Sequence, residues 1–261
     1  MELRSLGSTG IEVSPLGLGT VKFGRTQQVK YPRPFELPDD QRILTLLALA
    51  RELGINLLDT APAYGISQQR LGQLLGAART DWVIVSKVGE IFEQGQSRFD
   101  FSYEHTVATV EHSLRTLRTD YLDCVLIHSD GDDLRIFEQE GAVDALCDLK
   151  QRGLVRAHGM SSKTVAGGLR TVAEMDVVMA TCNLDYDAER PVFDAAQAAA
   201  RGVLVKKGLM SGHVADADGV RRSFAHVLAQ PGVSSMIVGT INPVHLRANV
   251  AALEDVLEHG I

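Results

Sequence analysis

Cysteine is scarce in this 261-residue chain, and its three copies, Cys124, Cys147 and Cys182, are an odd number with no Cys-x-x-Cys spacing. That excludes a disulfide framework, gives no reason to expect a metal, and predicts a thiol-reduced, cytoplasmic setting. Positive charge is also short: 26 Lys and Arg stand against 33 Asp and Glu, a formal net charge of -7. Such a balance argues against a nucleic-acid surface or a polybasic membrane contact. No apolar run approaches the roughly 20 residues that a bilayer span needs. The opening MELRSLGSTG lacks the apolar core of a secretory leader, so none is expected.

What is present is alternation. Short apolar runs recur: INLLD (55–59), WVIVSK (82–87), YLDCVLIH (121–128), LVRAHGMSS (154–162), DVVMATCN (176–183), GVLVKK (202–207) and SSMIVGT (234–240), with LGLGT (16–20) as a shorter eighth. Near-continuous Val, Ile and Leu suit parallel strands covered on both faces. Amphipathic stretches lie between them. One runs from Asp39 to Leu53 and stops at Gly54, and another runs from Ser102 to Leu117. A third is read as a single helix from Leu134 to Lys150, and the last, opened by Asn242-Pro243, reaches Leu257.

Strand–helix units repeated in this way predict an α/β fold, a (β/α)₈ TIM barrel, rather than an open sheet. Ahead of the first unit, ELRSLGSTGIEVS reads as an N-terminal β-hairpin around Gly7-Ser8-Thr9-Gly10. RTQQVKYPRPFELPDD (25–40) carries three prolines without periodicity and is read as a loop. No shift of composition marks a boundary, so residues 1–261 are expected to form one domain.

Several strand candidates end in a polar residue: Asp59, Lys87, His128, Asn183, Lys206-Lys207 and Thr240. The C-terminal ends of barrel strands gather on one face, where active sites sit. Taken singly, Asp59 is a cap, Lys87 a solvated strand end, His128 a structural histidine and Tyr64 a packed loop aromatic. Three consecutive strands would bring Asp59, Lys87 and His128 to one mouth, with Tyr64 leaning over it from the loop after the second strand. A phenol is a poor acid at neutral pH. A neighbouring ammonium favours the phenolate, so Lys87 would lower the pKa of Tyr64 while Asp59 holds Lys87 and His128 orients a carbonyl oxygen. That set suits protonation of a carbonyl as hydride arrives, and no side chain donates hydride, so a nicotinamide cofactor is implied.

LLDTAPAYG (57–65) with the following RLGQLLG, the IVSK and CVLIH strands, GLVRAHGMSS and the closing GTINPVHLRAN resembles the aldo-keto reductase superfamily. The resemblance runs from LGLGT through Ala251 and suggests a short, bacterial-type member. It implies that Asp59, Tyr64, Lys87 and His128 are the catalytic tetrad, with Tyr64 as proton donor. It also implies NAD(P)H-dependent reduction of a small aldehyde or ketone by a monomer, with NADP favoured and NAD possible.

For the cofactor it assigns Gly19, Thr20, Val21 and Asp59 on the first strands. Ser161, Ser162 and Asn183 would hold the carboxamide, and Lys206, Lys207, Leu209 and Ser211 would follow the pyrophosphate. Gly239, Thr240, Asn242, His245 and Asn249 would receive the adenosine phosphate. Lys206 replaces an aromatic common in relatives, and Gly239 and His245 stand where many NADP-preferring members carry Lys and Arg. The chain runs only a little past its last helix, which predicts an open mouth.

Two other readings use the same residues. One is a catalytically vestigial NAD(P)-binding regulatory subunit, and the other is a barrel aldolase or isomerase with Lys87 as a Schiff base. HSDGDD (128–133) lacks a calcium-loop register and reads as a solvated acidic loop. His105 and His112 are too far apart to share a metal, and Asp120 to Asp123 reads as the start of a strand.

Overall fold

The expected hairpin forms from β1 (Arg4–Ser5) and β2 (Glu12–Val13), with Arg4 paired to Val13. Its side chains Leu6, Ile11 and Val13 are buried with Leu57, Val83, Leu126, Val177 and Leu204 of the strands that follow. A hairpin this short has no core of its own, so it survives by plugging the N-terminal end of the sheet, where Gly7 touches the backbone at Gly202.

The computed structural model describes residues 1–214 and 216–260. Eight strands form a closed parallel barrel: β3 (Leu16–Gly19), β4 (Leu57–Asp59), β5 (Val83–Val88), β8 (Leu122–His128), β9 (Val155–Ser161), β10 (Val177–Thr181), β11 (Gly202–Lys206) and β12 (Val233–Val238). All eight predicted runs therefore became barrel strands. β12 pairs with β3, so no edge is left open. Two apolar layers result: one fills the barrel, and the other lies between the strands' outer faces and the helices.

Helices α1 (Asp40–Glu52), α2 (Ser67–Leu74), α3 (Tyr103–Leu117), α6 (Val165–Glu174), α7 (Arg190–Ala198), α8 (Ala217–Leu228) and α9 (Pro243–His259) belong to the outer layer. Asp39 caps α1 through the amide of Arg42, and Ser102 caps α3 through that of His105, the interactions that Asp and Ser supply at helix starts.

The structure departs from the sequence reading in two places, the first and third below, and adds an element where no reading was made. The stretch expected as one helix from Leu134 to Lys150 is two, α4 (Asp133–Gln139) and α5 (Ala142–Gln151). The break at Gly141 has a packing cause: a Cβ there would lie 2.7 Å from the amide nitrogen and Cβ of Tyr103, so the chain passes the start of α3 only as glycine.

Second, residues 90–99 form an antiparallel hairpin, β6 (Glu90–Glu93) and β7 (Gln96–Phe99). Its turn, Gln94-Gly95, has positive φ at both positions (52° and 78°), the backbone that a tight two-residue hairpin turn favours.

Third, the acidic loop is only partly solvated. Asp133 is buried and accepts from the amides of Lys163 and Thr164 and from the Thr164 hydroxyl, tying the loop after β8 to the start of α6.

Candidate active site

Strand register, not loop chemistry, assembles the cluster. Asp59 pairs with Val85, Lys87 with Leu126, and His128 with Ser161. Leu57, Val85 and Leu126 fill the barrel interior. Asp59, Lys87 and His128 each lie two residues beyond one of these, so the period-2 pleat sends all three to the same inner face at the C-terminal rim. The same count puts Lys206, two beyond Leu204 and paired with Thr181, on that face. Tyr64 ends a short turn, Pro62–Tyr64, directly after β4.

Lys87 Nζ donates to Asp59 Oδ1 at 2.5 Å and to the Thr60 carbonyl at 3.0 Å, and both charged side chains are almost wholly buried. The ammonium sits 4.8 Å from the centre of the Tyr64 ring, and the His128 ring lies edge-on to Tyr64 with centroids 6.4 Å apart. The four residues expected to act together are therefore brought together.

The electrostatics differ from the expectation that Lys87 would lower the Tyr64 pKa. Burial, followed by the carboxylates of Asp59 and Glu90, pushes the phenol well up, and Arg25 opposes this only in part. In the free protein the Lys87 charge is compensated by Asp59, so Tyr64 is a firmly protonated phenol.

Two residues at this site had no functional reading from sequence. Glu90, on the unexpected hairpin, places Oε2 2.7 Å from His128 Nδ1. Its Oε1 accepts from Ser97 Oγ at 2.6 Å and from Arg25 Nη1 at 3.1 Å. Burial resists ionisation of this carboxyl, but His128, Ser97 and Arg25 outweigh it and bring its pKa to about 2. Arg25 is itself buried, under the ring of Phe92, and donates to the carbonyl of Ala63 beside Tyr64. Glu-Gln-Gly-Gln between Ile91-Phe92 and the Ser97–Phe99 segment was the one available signal, a hairpin turn flanked by strand-compatible residues.

Along the expected cofactor face, Gly19 pairs with Asp59, and Ile237 pairs with Gly17, so Gly19 and Gly239 share the inner parity. Thr20 Oγ1 donates to the Asp59 carbonyl, and Val21 opens a short helical turn. Lys206 Nζ donates to Ser161 Oγ and to the Ser162 carbonyl, and burial lowers its pKa to about 7, with Lys207 and Lys163 opposing its charge and Glu189 supporting it.

Of the adjacent serines only Ser161 has the inner parity. The Ser162 hydroxyl is buried without a hydrogen-bond partner, on the side of Gly168 in α6. Asn183 spends its side chain on the Lys207 carbonyl and the Asp185 amide. Lys207 and Ser211 hold positive φ (59° and 58°) around Leu209. Beyond β12, the hydroxyl of Thr240 accepts from the Asn242 amide, and Asn242 caps the exposed start of α9, with His245 exposed and Asn249 buried one and two turns on.

These residues fit a nicotinamide dinucleotide. Gly19 and Gly239 leave the rim without side chains, and a Cβ on Gly239 would come within 2.5 Å of the Tyr31 hydroxyl. The segment read as a loop thus lies over the rim, with the Lys22 ammonium 3.7 Å from the centre of the Tyr31 ring. A helix N-terminus at Asn242-Pro243 and the Lys207 cation suit phosphate oxygens, while Lys206 is held beside Ser161 on the inner rim.

The aldo/keto reductase family model matches residues 15–218 of the chain. A candidate aldo-keto reductase from Pseudomonas aeruginosa, known as a crystal structure, is 55% identical and superposes with a TM-score of 0.91, covering 98% of this chain and 95% of that one. The holo form of an aldo-keto reductase from Bacillus halodurans is 26% identical with a TM-score of 0.80, covering 97% and 91%. L-galactose dehydrogenase of Arabidopsis thaliana is 28% identical over 303 residues, which span 100% of this chain and 91% of that protein.

Proposed function

The chain belongs to the aldo/keto reductase family and is an NAD(P)H-dependent oxidoreductase of small molecules, and we propose that it reduces aldehyde or ketone carbonyls to alcohols with Tyr64 as proton donor. The observation that carries this reading is the convergence of the Tyr64 phenol and the buried Lys87–Asp59 pair on the inner rim. A bound nicotinamide cofactor supplies the hydride. Tyr64 holds the proton that the developing alkoxide needs, and its raised pKa keeps that proton in place until the oxygen becomes basic. Lys87 then lies close enough to stabilise the phenolate left behind, and Asp59 holds Lys87 in place.

Gly19, Val21, Gly239 and the start of α9 would cradle the cofactor, with Ser161 and Lys206 beside the nicotinamide end. NADP is the proposed carrier. The test is a titration by nicotinamide fluorescence with NADPH and NADH, followed by oxidation of the tighter binder with a panel of simple aldehydes and ketones. Turnover with part of the panel supports the assignment. Tight binding without oxidation for any carbonyl would overturn it in favour of a regulatory subunit.

A further inference from the structure

The closed strand order puts β11 directly across the barrel from β5, four strands away in either direction. Lys206, at the end of β11, therefore stands opposite Lys87 on the inner rim. Between Lys206 and Asp59 come only β12 and β3, whose inner positions at the rim are Gly239 and Gly19. That arc carries no side chains, so it is the side from which a flat ring can reach Tyr64, with Asp59 on one flank and Lys206 on the other.

The two lysines differ in their counter-charge. Lys87 Nζ is paired with Asp59 at 2.5 Å. Lys206 Nζ donates only to neutral oxygens, Ser161 Oγ at 2.9 Å and the Ser162 carbonyl at 2.5 Å, and among the described residues it makes no ion pair. Glu189, at the cap of α7, is buried, and burial pushes that carboxyl up towards its neutral form. Asp133 is already held by the amides of Lys163 and Thr164, and Lys207 and Lys163 add positive charge. The charge on Lys206 therefore reaches the mouth with little to cancel it.

We propose that Lys206 is a specificity residue for the redox state of the cofactor, favouring the reduced dinucleotide and loosening the oxidised one once hydride has left. The proposal rests on the carbonyl-reductase reading. The two forms of a nicotinamide dinucleotide differ by one charge, because the oxidised ring is a pyridinium cation and the reduced ring is neutral. The pyrophosphate is common to both, so a neighbouring ammonium penalises only the oxidised ring. Like charges roughly 4–6 Å apart at a partly wet protein surface shift an equilibrium by about tenfold. A tenfold preference raises the two-electron potential of the bound couple by about 30 mV. The protein would then load from the reduced pool and release the spent form, which fits a reductase rather than a dehydrogenase.

The experiment measures binding alone. Kd values for NADPH and NADP⁺ are determined by titration calorimetry on wild type, Lys206→Gln and Lys206→Arg at pH 6.5, and the quantity read is the NADP⁺ Kd divided by the NADPH Kd. Lys206→Gln should lower that ratio about tenfold, with NADPH weakened and NADP⁺ little changed, and Lys206→Arg should keep it. In wild type the ratio should fall between pH 6.5 and 8.5, where Lys206 gives up its proton, while Lys206→Arg stays level and so separates Lys206 from Glu189. Burial holds His128 below its usual range, so it is largely neutral across that interval. An unchanged ratio in Lys206→Gln, or a wild-type ratio that is level with pH, overturns the proposal. If Lys206→Gln fails to fold, the wild-type pH series decides. Failure of the wild type to bind either form sinks the dinucleotide reading and the proposal with it, whereas tight binding with an unchanged ratio sinks the proposal alone.

Discussion

At the N-terminal end of the barrel, Asp123 accepts from Arg79 and Arg156 and from the amide of Ile84, at 2.8–2.9 Å. At the C-terminal end, Asp59 is buried to a similar degree but faces one cation, Lys87. Both are aspartates at an end of a barrel strand, and one is saturated while the other is not. A buried carboxylate with two guanidiniums and an amide has nothing left to offer, so the lower cluster is a fastener. The upper one leaves a protonated phenol, an imidazole and a lysine with a lowered pKa around the Lys87–Asp59 pair, a group that can exchange protons with something placed among them.

The sharpest break in this contrast comes from removing each carboxylate. Asp123→Ala should cost about 3–5 kcal/mol of unfolding free energy, because it strands two arginines, and should leave kcat per folded molecule unchanged. Chemical denaturation paired with active-site titration reads both. Asp59→Asn should do the opposite, lowering kcat about a hundredfold or more with a stability loss of only about 1–3 kcal/mol. Equal stability losses at the two sites would erase the distinction.

Lys206 sharpens the contrast through pH. Its pKa near 7 means that it is charged below that pH and neutral above, so attraction for an anionic cofactor should weaken as pH rises through about 7. Lys206→Gln should remove that inflection in the cofactor Kd, an effect of about tenfold at pH 6. The smallest expected effect lies away from both ends: Gly141→Ala, where a Cβ meets the start of α3, should lower stability by about 1–3 kcal/mol without touching kinetics.

The part of this architecture legible in the sequence is the part that period-2 alternation writes down. LLD, VIVSK and CVLIH each end in a side chain of the candidate site, and barrel closure turns that common ending into a common place. Ser161 and Ser162 show the same rule from its other side: neighbours on a strand cannot both face the mouth, and the pleat turns the Ser162 hydroxyl towards α6. Glu90 and Arg25 were not legible, because a hairpin and an aperiodic loop bring them together beside His128 by tertiary contact alone. Gly141 was hidden for a related reason, since its neighbour Tyr103 lies far away along the chain. Tyr31 sat in a segment with no periodicity, and only packing revealed that it covers the rim at Gly239.

If Tyr64 gives the proton and does little else, removing its hydroxyl should cost turnover and spare the cofactor. Tyr64→Phe, assayed for carbonyl turnover and for cofactor Kd in the same preparation, tests it most directly. Turnover should fall by at least about a thousandfold, with cofactor affinity within about twofold of wild type. Substantial residual reduction with cofactor still bound would contradict it.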